Sequence, residues 1–218
     1  MKYTNKHNLP QPIVDAVIND DYAHDGDISV TGLIKPVQMR QLELHHDSLL
    51  EQDVSDCIYR LLGQSVHAIL EKGKGLNELK EERLSMVVNG MKISGKTDLL
   101  TGDGTLTDYK VTSVYSFLLS DKPEWEQQLN SYAQLWRDNG FKISKLQIVA
   151  ILRDWVSSRA NEPDYPPCAS MTVPIELWQE QKTIDFLRLR TELHHSAVFL
   201  IDEALSEPPF SCSDRERW

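Results

Sequence analysis

The 218-residue sequence has few cysteines and no long apolar run. No stretch approaches the roughly 20 apolar residues of a transmembrane helix, and Met1-Lys2-Tyr3-Thr4 does not begin a signal peptide. The three cysteines, at positions 57, 168 and 212, form no C-x-x-C pair and leave an odd thiol. This pattern favours a reducing compartment over a disulfide scaffold, with structural roles for the thiols. We therefore expect a soluble cytoplasmic protein with no membrane partner.

The sequence also lacks an excess of basic charge, since 23 Lys and Arg face 33 Asp and Glu for a net charge of −10. Proteins that coat nucleic acid normally carry a basic surplus, so that class is disfavoured. An enzyme acting on nucleic acid is not excluded, because bound divalent cations cancel carboxylates where a phosphate approaches. No P-loop motif is present, so any unwinding of a duplex must come from a partner, or the substrate must already offer an end.

No linker rich in Pro, Gly or Ser divides the chain, which predicts one domain over residues 1–218. We expect its core at about residues 53–153. An N-terminal extension over residues 1–52 precedes this core, and a C-terminal loop and long helix over residues 154–218 follow it.

The core begins with a helix predicted from about Asp53 to Lys72, ended by the glycines that follow. Apolar spacing of three and four predicts a buried stripe of Val54, Ile58, Leu61, Leu62, Ser65 and Ile69. Arg60, Gln64, His67 and Glu71 share another side of the helix. Taken alone, that side is most simply interpreted as a solvated polar face.

A meander of three antiparallel strands is predicted next. Asn89-Gly90 lies between two alternating runs, Arg83–Val88 and Met91–Gly95, and indicates a hairpin. Gly102-Asp103-Gly104 indicates a second turn that leads into Leu106–Val111. The meander gives the sheet of the core its first three strands.

The lengths of these turns predict which residues face each other. A three-residue loop pairs residue 101 with 105 and sets Asp98 opposite Asp108, with β-carbons about 5 Å apart. Lys110 lies on the same face as Asp108, and the two-residue hairpin places Glu81 opposite Asp98, with Glu82 one step away. Opposed carboxylates repel unless they share a proton or bind a cation, and Mg²⁺ or Mn²⁺ suits such a site. A register slip of one residue would instead leave the two aspartates as ordinary surface residues.

A second helix is predicted to start at Asp121-Lys122-Pro123-Glu124, with Asp121 as its cap. Its buried stripe comprises Trp125, Leu129, Tyr132, Ala133 and Trp136. Gln128 and Tyr132 lie four residues apart on one side of this helix, where a core Tyr and a surface Gln are the usual interpretation. A buried strand over Leu146–Leu152 follows.

Beyond this strand, residues 161–169 form a Pro-rich loop, and a long helix is predicted from Glu176 to Leu205. Its expected buried positions include Trp178, Ile184, Leu187 and Leu193. Adjacent helical residues diverge by about 100°, so His194-His195 and His45-His46 are given no metal role. The end of the chain, Pro208–Cys212, is expected to be irregular.

The order of these signals resembles the PD-(D/E)XK nuclease superfamily, specifically its RecB-like exonuclease branch. The helical Gly-x-x-x-His motif matches Gly63 to His67, and the Gly-x-x-Asp motif matches Gly95 to Asp98. Asp108-Tyr109-Lys110 stands at the acid-x-Lys motif, and Gln128 to Tyr132 matches Gln-x-x-x-Tyr. The resemblance implies an α/β (α+β) restriction-endonuclease-like fold. Its core is a helix, a three-strand meander, a helix and a strand, with a central mixed sheet flanked by helices.

The resemblance also implies roles for these residues. His67, Asp98, Asp108 and the Tyr109 backbone carbonyl would hold Mg²⁺ or Mn²⁺, and Glu82 or Glu81 is the candidate for an additional acid. Asp98, Asp108 and Lys110 would be catalytic, with Lys110 orienting the attacking water. Gln128 and Tyr132 would bind the substrate strand. Some relatives carry four cysteines for an iron–sulfur cluster, which three thiols cannot supply, so no cluster is predicted.

The function implied is a metal-dependent DNA exonuclease of phage or bacterial recombination, repair or DNA degradation, in a bacterial cell or phage-infected host. A single-strand or structure-selective endonuclease and a non-catalytic nucleic-acid-binding module are the alternatives. Expected partners are linear or single-stranded DNA ends and a helicase or recombination protein, and a homo-oligomer is left open.

Overall fold

The computed structural model describes residues 1–19, 25–73, 75, 77–119 and 121–203, with the backbone alone over residues 198–203. The chain divides into two compact units. The second unit comprises Leu62–Leu84 and Gly95–Thr183, and the first comprises Met1–Leu61, Ser85–Ser94 and the chain from Ile184 onward. Both units are built from separated stretches of sequence, and the single domain over residues 1–218 stays a prediction.

The secondary structure of the described residues is mixed. The strands are β1 (Lys2–Thr4), β2 (Ile28–Ser29), β3 (Glu51–Asp53), β4 (Glu78–Val88), β5 (Met91–Thr101), β6 (Thr105–Thr112), β7 (Lys145–Leu152) and β8 (Ser170–Ile175). The α-helices are α1 (Gln11–Ile18), α2 (Val30–Ile34), α3 (Val37–His45), α4 (Ile58–Leu70), α5 (Val114–Leu119), α6 (Pro123–Asp138) and α7 (Glu180–Glu203). Within the described ranges, no helix is both long and apolar enough to span a bilayer.

The predicted hairpin is confirmed. Asn89 and Gly90 have φ angles of 49° and 79°, which is the left-handed conformation that a two-residue turn of this kind requires. The strands on either side of this turn, β4 and β5, pair with each other.

The predicted loop between β5 and β6 is also confirmed. Leu99 pairs with Thr107 and Leu100 with Leu106 in antiparallel register, which is the register that a three-residue loop produces. Gly104 has a φ of 81°, and Asp103 Oδ1 accepts hydrogen bonds from Thr101 Oγ1 and the Thr105 backbone N–H. Continuing this register by one pair brings Asp98 to the level of Asp108.

The central sheet is mixed, as predicted, because β7 lies parallel to β6 and antiparallel to β8. Leu146, Ile148, Ala150 and Leu152 of β7 are buried and their neighbours are half-buried or exposed. β8 was not predicted, since a Pro-rich loop precedes it and Pro174 lies inside it. Proline is tolerated there because β8 is the edge strand.

The predicted buried stripe of the first core helix is largely wrong. The helix proper begins at Ile58, after a short 3-10 turn over Val54–Cys57, and Val54 is buried in that turn. Ile58, Leu62 and Ile69 are 36%, 40% and 66% exposed, Ser65 is exposed and Leu61 is half-buried. Periodicity identifies an apolar helix face but not the element that covers it, and none of the described residues of α4 is buried.

The predicted stripe of α6 is confirmed, but its cap is not. Lys122 is the N-cap residue and makes no capping hydrogen bond with its side chain. Asp121 lies one residue too early to reach the free N–H groups of the first turn. The stripe from Trp125 to Trp136 is buried, and so are four polar residues of the same helix: Gln128, Asn130, Ser131 and Gln134.

The last helix starts later than predicted because of Asn130. Asn130 Oδ1 accepts the Trp178 backbone N–H, and Asn130 Nδ2 donates to the Glu176 carbonyl. These two bonds hold residues 176–179 outside helical geometry, so α7 begins at Glu180. Trp178 and Leu187 are buried as predicted, Ile184 and Leu193 are half-buried, and Leu205 and Pro208–Cys212 lie outside the described residues.

Gly95 is required for the contact between β5 and α6. A Cβ atom at Gly95 would lie 2.5 Å from Tyr132 Cε1 and 2.9 Å from Leu135 Cδ1, and both side chains are buried. We expect Gly95→Ala to lower the free energy of unfolding by about 1–3 kcal/mol, because overpacking a filled core forces shifts. Urea unfolding followed by circular dichroism measures the change.

The matched control for this prediction is Gly63→Ala. A Cβ atom at Gly63 meets nothing within 4 Å, and Ala is favoured over Gly in a helix by about 1 kcal/mol. Gly63→Ala should therefore leave stability unchanged or raise it. Equal losses in the two variants would show that close packing at Gly95 is not the cause.

His194 in the first unit is buried and makes stability depend on pH. Its Nε2 lies 3.0 Å from the Leu33 carbonyl oxygen, and burial lowers the pKa of His194 to about 4. The unfolded chain therefore binds a proton near pH 6.5 while the folded chain does not. Neutral, buried His194 therefore leaves the free energy of unfolding at its full value above about pH 6.5. As the pH falls from 6.5 towards 4, the free energy of unfolding decreases by about 3 kcal/mol.

Urea unfolding at pH 7.5 and pH 4.5 tests this dependence. His194→Gln should lose part of the acid destabilisation, whereas His195→Gln, at an exposed position, should keep it. The same change between the two pH values in His194→Gln and the wild type would contradict the prediction.

Candidate active site

His67 on α4 lies against Asp98 on β5. His67 Nδ1 is 3.0 Å from Asp98 Oδ1, and Asp98 Oδ2 accepts the backbone N–H of Tyr109 at 2.7 Å. The Tyr109 ring lies near the His67 ring, with 6.3 Å between their centroids. Asp98 therefore connects the helix that carries His67 to the strand that carries Asp108 and Lys110.

Glu81 is the additional acid that the structure brings to this point, rather than Glu82. Glu81 Oε1 lies 3.9 Å from His67 Nδ1, and Glu81 Oε2 lies 2.5 Å from Lys96 Nζ. Glu82 is exposed. Glu81 has a φ of 53°, a left-handed conformation that is uncommon for a residue other than Gly.

A second group of side chains surrounds Asp108 on β6. Lys110 Nζ forms an ion pair with Asp108 Oδ2 at 2.8 Å. The same Nζ donates to Gln128 Oε1 at 2.9 Å, and Gln128 Nε2 donates to Asp108 Oδ1 and to the Tyr132 hydroxyl. Gln128 is 7% exposed. The strand and α6 thus hold Lys110 from two sides.

Two residues beside Asp98 fix the strand that carries it. Trp136 Nε1 donates to Thr97 Oγ1 at 3.1 Å, and both side chains are buried. Gly95 lets the Tyr132 ring approach the backbone. The glycine of the Gly95 to Asp98 motif therefore serves packing, which leaves the charged residues Lys96 and Asp98 for the site.

The electrostatics of the site follow from burial and from these pairs. The hydrogen bond to Asp98, reinforced by Glu81, raises the pKa of His67 to about 10. Burial raises the pKa of Asp108, although Lys110 partly offsets this effect. Burial also acts to raise the pKa of Glu81, but His67 and Lys96 together bring it below the ordinary value. Burial raises the pKa of the Tyr109 hydroxyl, and Asp98 adds to this effect.

The donor atoms suit a hard divalent cation. His67, Glu81 and Asp98 each offer one ligand atom, and these atoms lie within 4.8 Å of one another. Two carboxylates and one imidazole could bind a divalent metal ion, which would displace the proton of the His67 imidazole. Asp108 is not part of this group of three, since its carboxylate faces Lys110 and Gln128.

Lys96 is the site residue that sequence reasoning missed. Strand alternation offered a signal, because Lys96 lies two residues before Asp98 in the Gly-x-x-Asp motif. Glu81 and Glu82 were both left open from the sequence, although a two-residue turn at Asn89-Gly90 had set Glu81 opposite Asp98.

The other histidines and the described cysteines lie outside this site. His194 contacts the Leu33 carbonyl, and His45 and His46 stack edge to face on each other. Cys57 is buried in an apolar cluster with Val17 and Val54, and Cys168 is exposed. Cys212 lies outside the described residues.

Comparison with known proteins shows a fold shared with solved structures. The chain is 16% identical to SSO0001, over 91% of this chain and 96% of that one, with a TM-score of 0.55. It is 16% identical to a phage-related exonuclease from Haemophilus somnus 129PT, over 81% and 95% of the two chains, with a TM-score of 0.50. It is 14% identical to LHK-Exo, an alkaline exonuclease from Laribacter hongkongensis solved with dAMP, over 81% of this chain and 92% of that one, with a TM-score of 0.48. No protein-family model and no curated protein sequence matches the chain.

Proposed function

We propose that this protein is a metal-dependent deoxyribonuclease of the PD-(D/E)XK superfamily, RecB-like branch, which degrades DNA from its ends. The observation that carries the proposal is the convergence of a His67, Glu81 and Asp98 group with an Asp108 and Lys110 pair. The fold shared with a phage-related exonuclease supports it. A soluble cytoplasmic enzyme of phage or bacterial DNA recombination, repair or degradation fits this activity.

His67, Glu81 and Asp98 would hold the cation, with Asp108 and the Tyr109 carbonyl as the further ligands that the family resemblance implies. A bound Mg²⁺ or Mn²⁺ supplies a water of lowered pKa and partly neutralises the scissile phosphate. Cleavage would therefore depend on the metal, because the residues of the site do not themselves supply an activated water.

Lys110 would orient the attacking water and stabilise the charge that develops on the phosphoryl oxygens. Its ammonium group is held by Asp108 and Gln128, so it is positioned before the substrate arrives. A preorganised cation stabilises a transition state without having to reorganise during the reaction.

Gln128 and Tyr132 would position the reacting groups from α6. Both side chains are buried, and their hydrogen bonds run through Gln128 to Asp108 and Lys110. These contacts support a role for Gln128 and Tyr132 in positioning the Lys110 ammonium group. Direct binding of the substrate strand by these two residues stays a prediction from the resemblance.

Digestion of linear, nicked and closed circular DNA with Mn²⁺, Mg²⁺ or a chelator tests the proposal. We expect linear DNA to be degraded with either metal, closed circular DNA to persist, and chelator to stop the reaction. Nicking or linearisation of closed circular DNA would indicate the endonuclease alternative. Binding without cleavage under every metal condition would indicate a non-catalytic nucleic-acid-binding module.

A further inference from the structure

Lys96 contacts the candidate metal group and has no part in the function proposed above. Its Nζ lies 2.5 Å from Glu81 Oε2, whereas Glu81 Oε1 faces His67 Nδ1 at 3.9 Å. The two oxygens of one carboxylate therefore face different partners. One is paired with an ammonium group, and the other lies with the donor atoms of His67 and Asp98.

The surroundings of Glu81 restrict its carboxylate. The Glu81 side chain is 10% exposed, so it has little room to adopt another orientation. Its φ of 53° is uncommon for a residue other than Gly, and such a backbone persists only where the surroundings hold it. Burial and the ion pair with Lys96 together restrict the carboxylate.

We propose that Lys96 is a positioning residue that keeps Glu81 a one-oxygen ligand and thereby makes the site prefer Mg²⁺ or Mn²⁺ over Ca²⁺. This inference rests on the proposed function. Mg²⁺ requires near-octahedral geometry and few carboxylates, whereas Ca²⁺ accepts six to eight oxygens and readily binds both oxygens of one carboxylate. The Lys96 ammonium group at Glu81 Oε2 opposes the binding of one cation by both oxygens of this carboxylate.

The ratio of two metal affinities separates this effect from simple charge. Loss of the Lys96 ammonium group changes the electrostatic attraction for every divalent cation in the same direction and by a similar amount. The release of Glu81 Oε2 from its ion pair, in contrast, affects the two cations differently, because only Ca²⁺ readily binds both oxygens of one carboxylate. The geometric effect therefore appears in the ratio of the two dissociation constants.

The test measures binding of Mn²⁺ by electron paramagnetic resonance and of Ca²⁺ by competition, using the full chain without DNA. We expect Lys96→Met to reduce the preference for Mn²⁺ over Ca²⁺ by about 10-fold, the size of effect seen when a residue that orients a ligand is removed. The matched control is Lys80→Met, since Lys80 on β4 pairs with Glu78. Its effect on the ratio should stay within about 2-fold, because this half-buried pair includes none of the three grouped donor atoms.

A double-mutant comparison shows whether Lys96 acts through Glu81. In a Glu81→Gln background, Lys96→Met should leave the ratio unchanged, which a general structural role would not predict. Lys96→Gln provides a second variant if Lys96→Met does not fold. An unchanged ratio in a folded Lys96 variant, with Mn²⁺ binding still abolished by Asp98→Asn, overturns this inference and leaves the proposed function standing. Failure of the wild type to bind Mn²⁺ overturns both.

Discussion

Lys110→Met is expected to slow DNA cleavage by about 10²- to 10³-fold, the usual effect of removing one preorganised group that stabilises transition-state charge. Met retains the aliphatic stem and removes the ammonium group, with its ion pair to Asp108 Oδ2 and its hydrogen bond to Gln128 Oε1. Single-turnover cleavage of a labelled linear duplex at saturating Mn²⁺ measures the chemical step.

Two controls accompany this variant. Lys110→Met should still bind Mn²⁺, because Lys110 contacts none of the three grouped donor atoms and the variant loses only the ion pair with Asp108 and the hydrogen bond to Gln128. Lys142→Met, at an exposed position, should cleave at the wild-type rate. Arg at position 110 is not expected to restore activity, because its planar fork differs from a compact ammonium group. Full activity of Lys110→Met would exclude Lys110 from the chemistry.

Asp98→Asn is expected to reduce cleavage by about 10³-fold or more, because a metal contributes several kcal/mol of transition-state stabilisation. The amide keeps the size of the side chain and can still accept the Tyr109 N–H that Asp98 Oδ2 now accepts. The charge that faces His67 Nδ1 is lost. The variant should therefore fold normally and fail to bind Mn²⁺.

Parallel measurements separate these effects. Mn²⁺ binding and DNA cleavage should both fall in Asp98→Asn, while circular dichroism should still show a folded protein. Asp103→Asn is the matched control, since Asp103 lies in the β5–β6 loop and bonds only to loop residues and Ser144 in the described contacts. Wild-type Mn²⁺ affinity in Asp98→Asn would remove Asp98 from the metal site.

The position of Asp98 opposite Asp108 could be predicted from the sequence, because the length of a short loop determines which residues of the two strands face each other. Asn89-Gly90 and Gly102-Asp103-Gly104 each fix one pairing of strands, and the Leu99–Thr107 register follows from the second. The buried stripe of α6 was equally predictable, since that helix packs against β6, β7 and β8.

Other features depend on information that local patterns do not contain. The apolar face of α4 has the expected spacing, yet Ile58 and Ile69 are exposed, because spacing does not specify what packs against a helix. The choice of Glu81 over Glu82 rests on the contacts of Glu81 with His67 and Lys96. The pairing of Asp108 with Lys110 and Gln128 depends on where α6 crosses the sheet.

The most direct test of a metal-dependent nuclease centre at these residues is release of acid-soluble nucleotide from linear duplex DNA by the wild-type protein. We expect release with Mn²⁺ and none with a chelator, and restoration when excess Mn²⁺ is returned. Equal release in chelator, or no release with any divalent metal, would contradict the account.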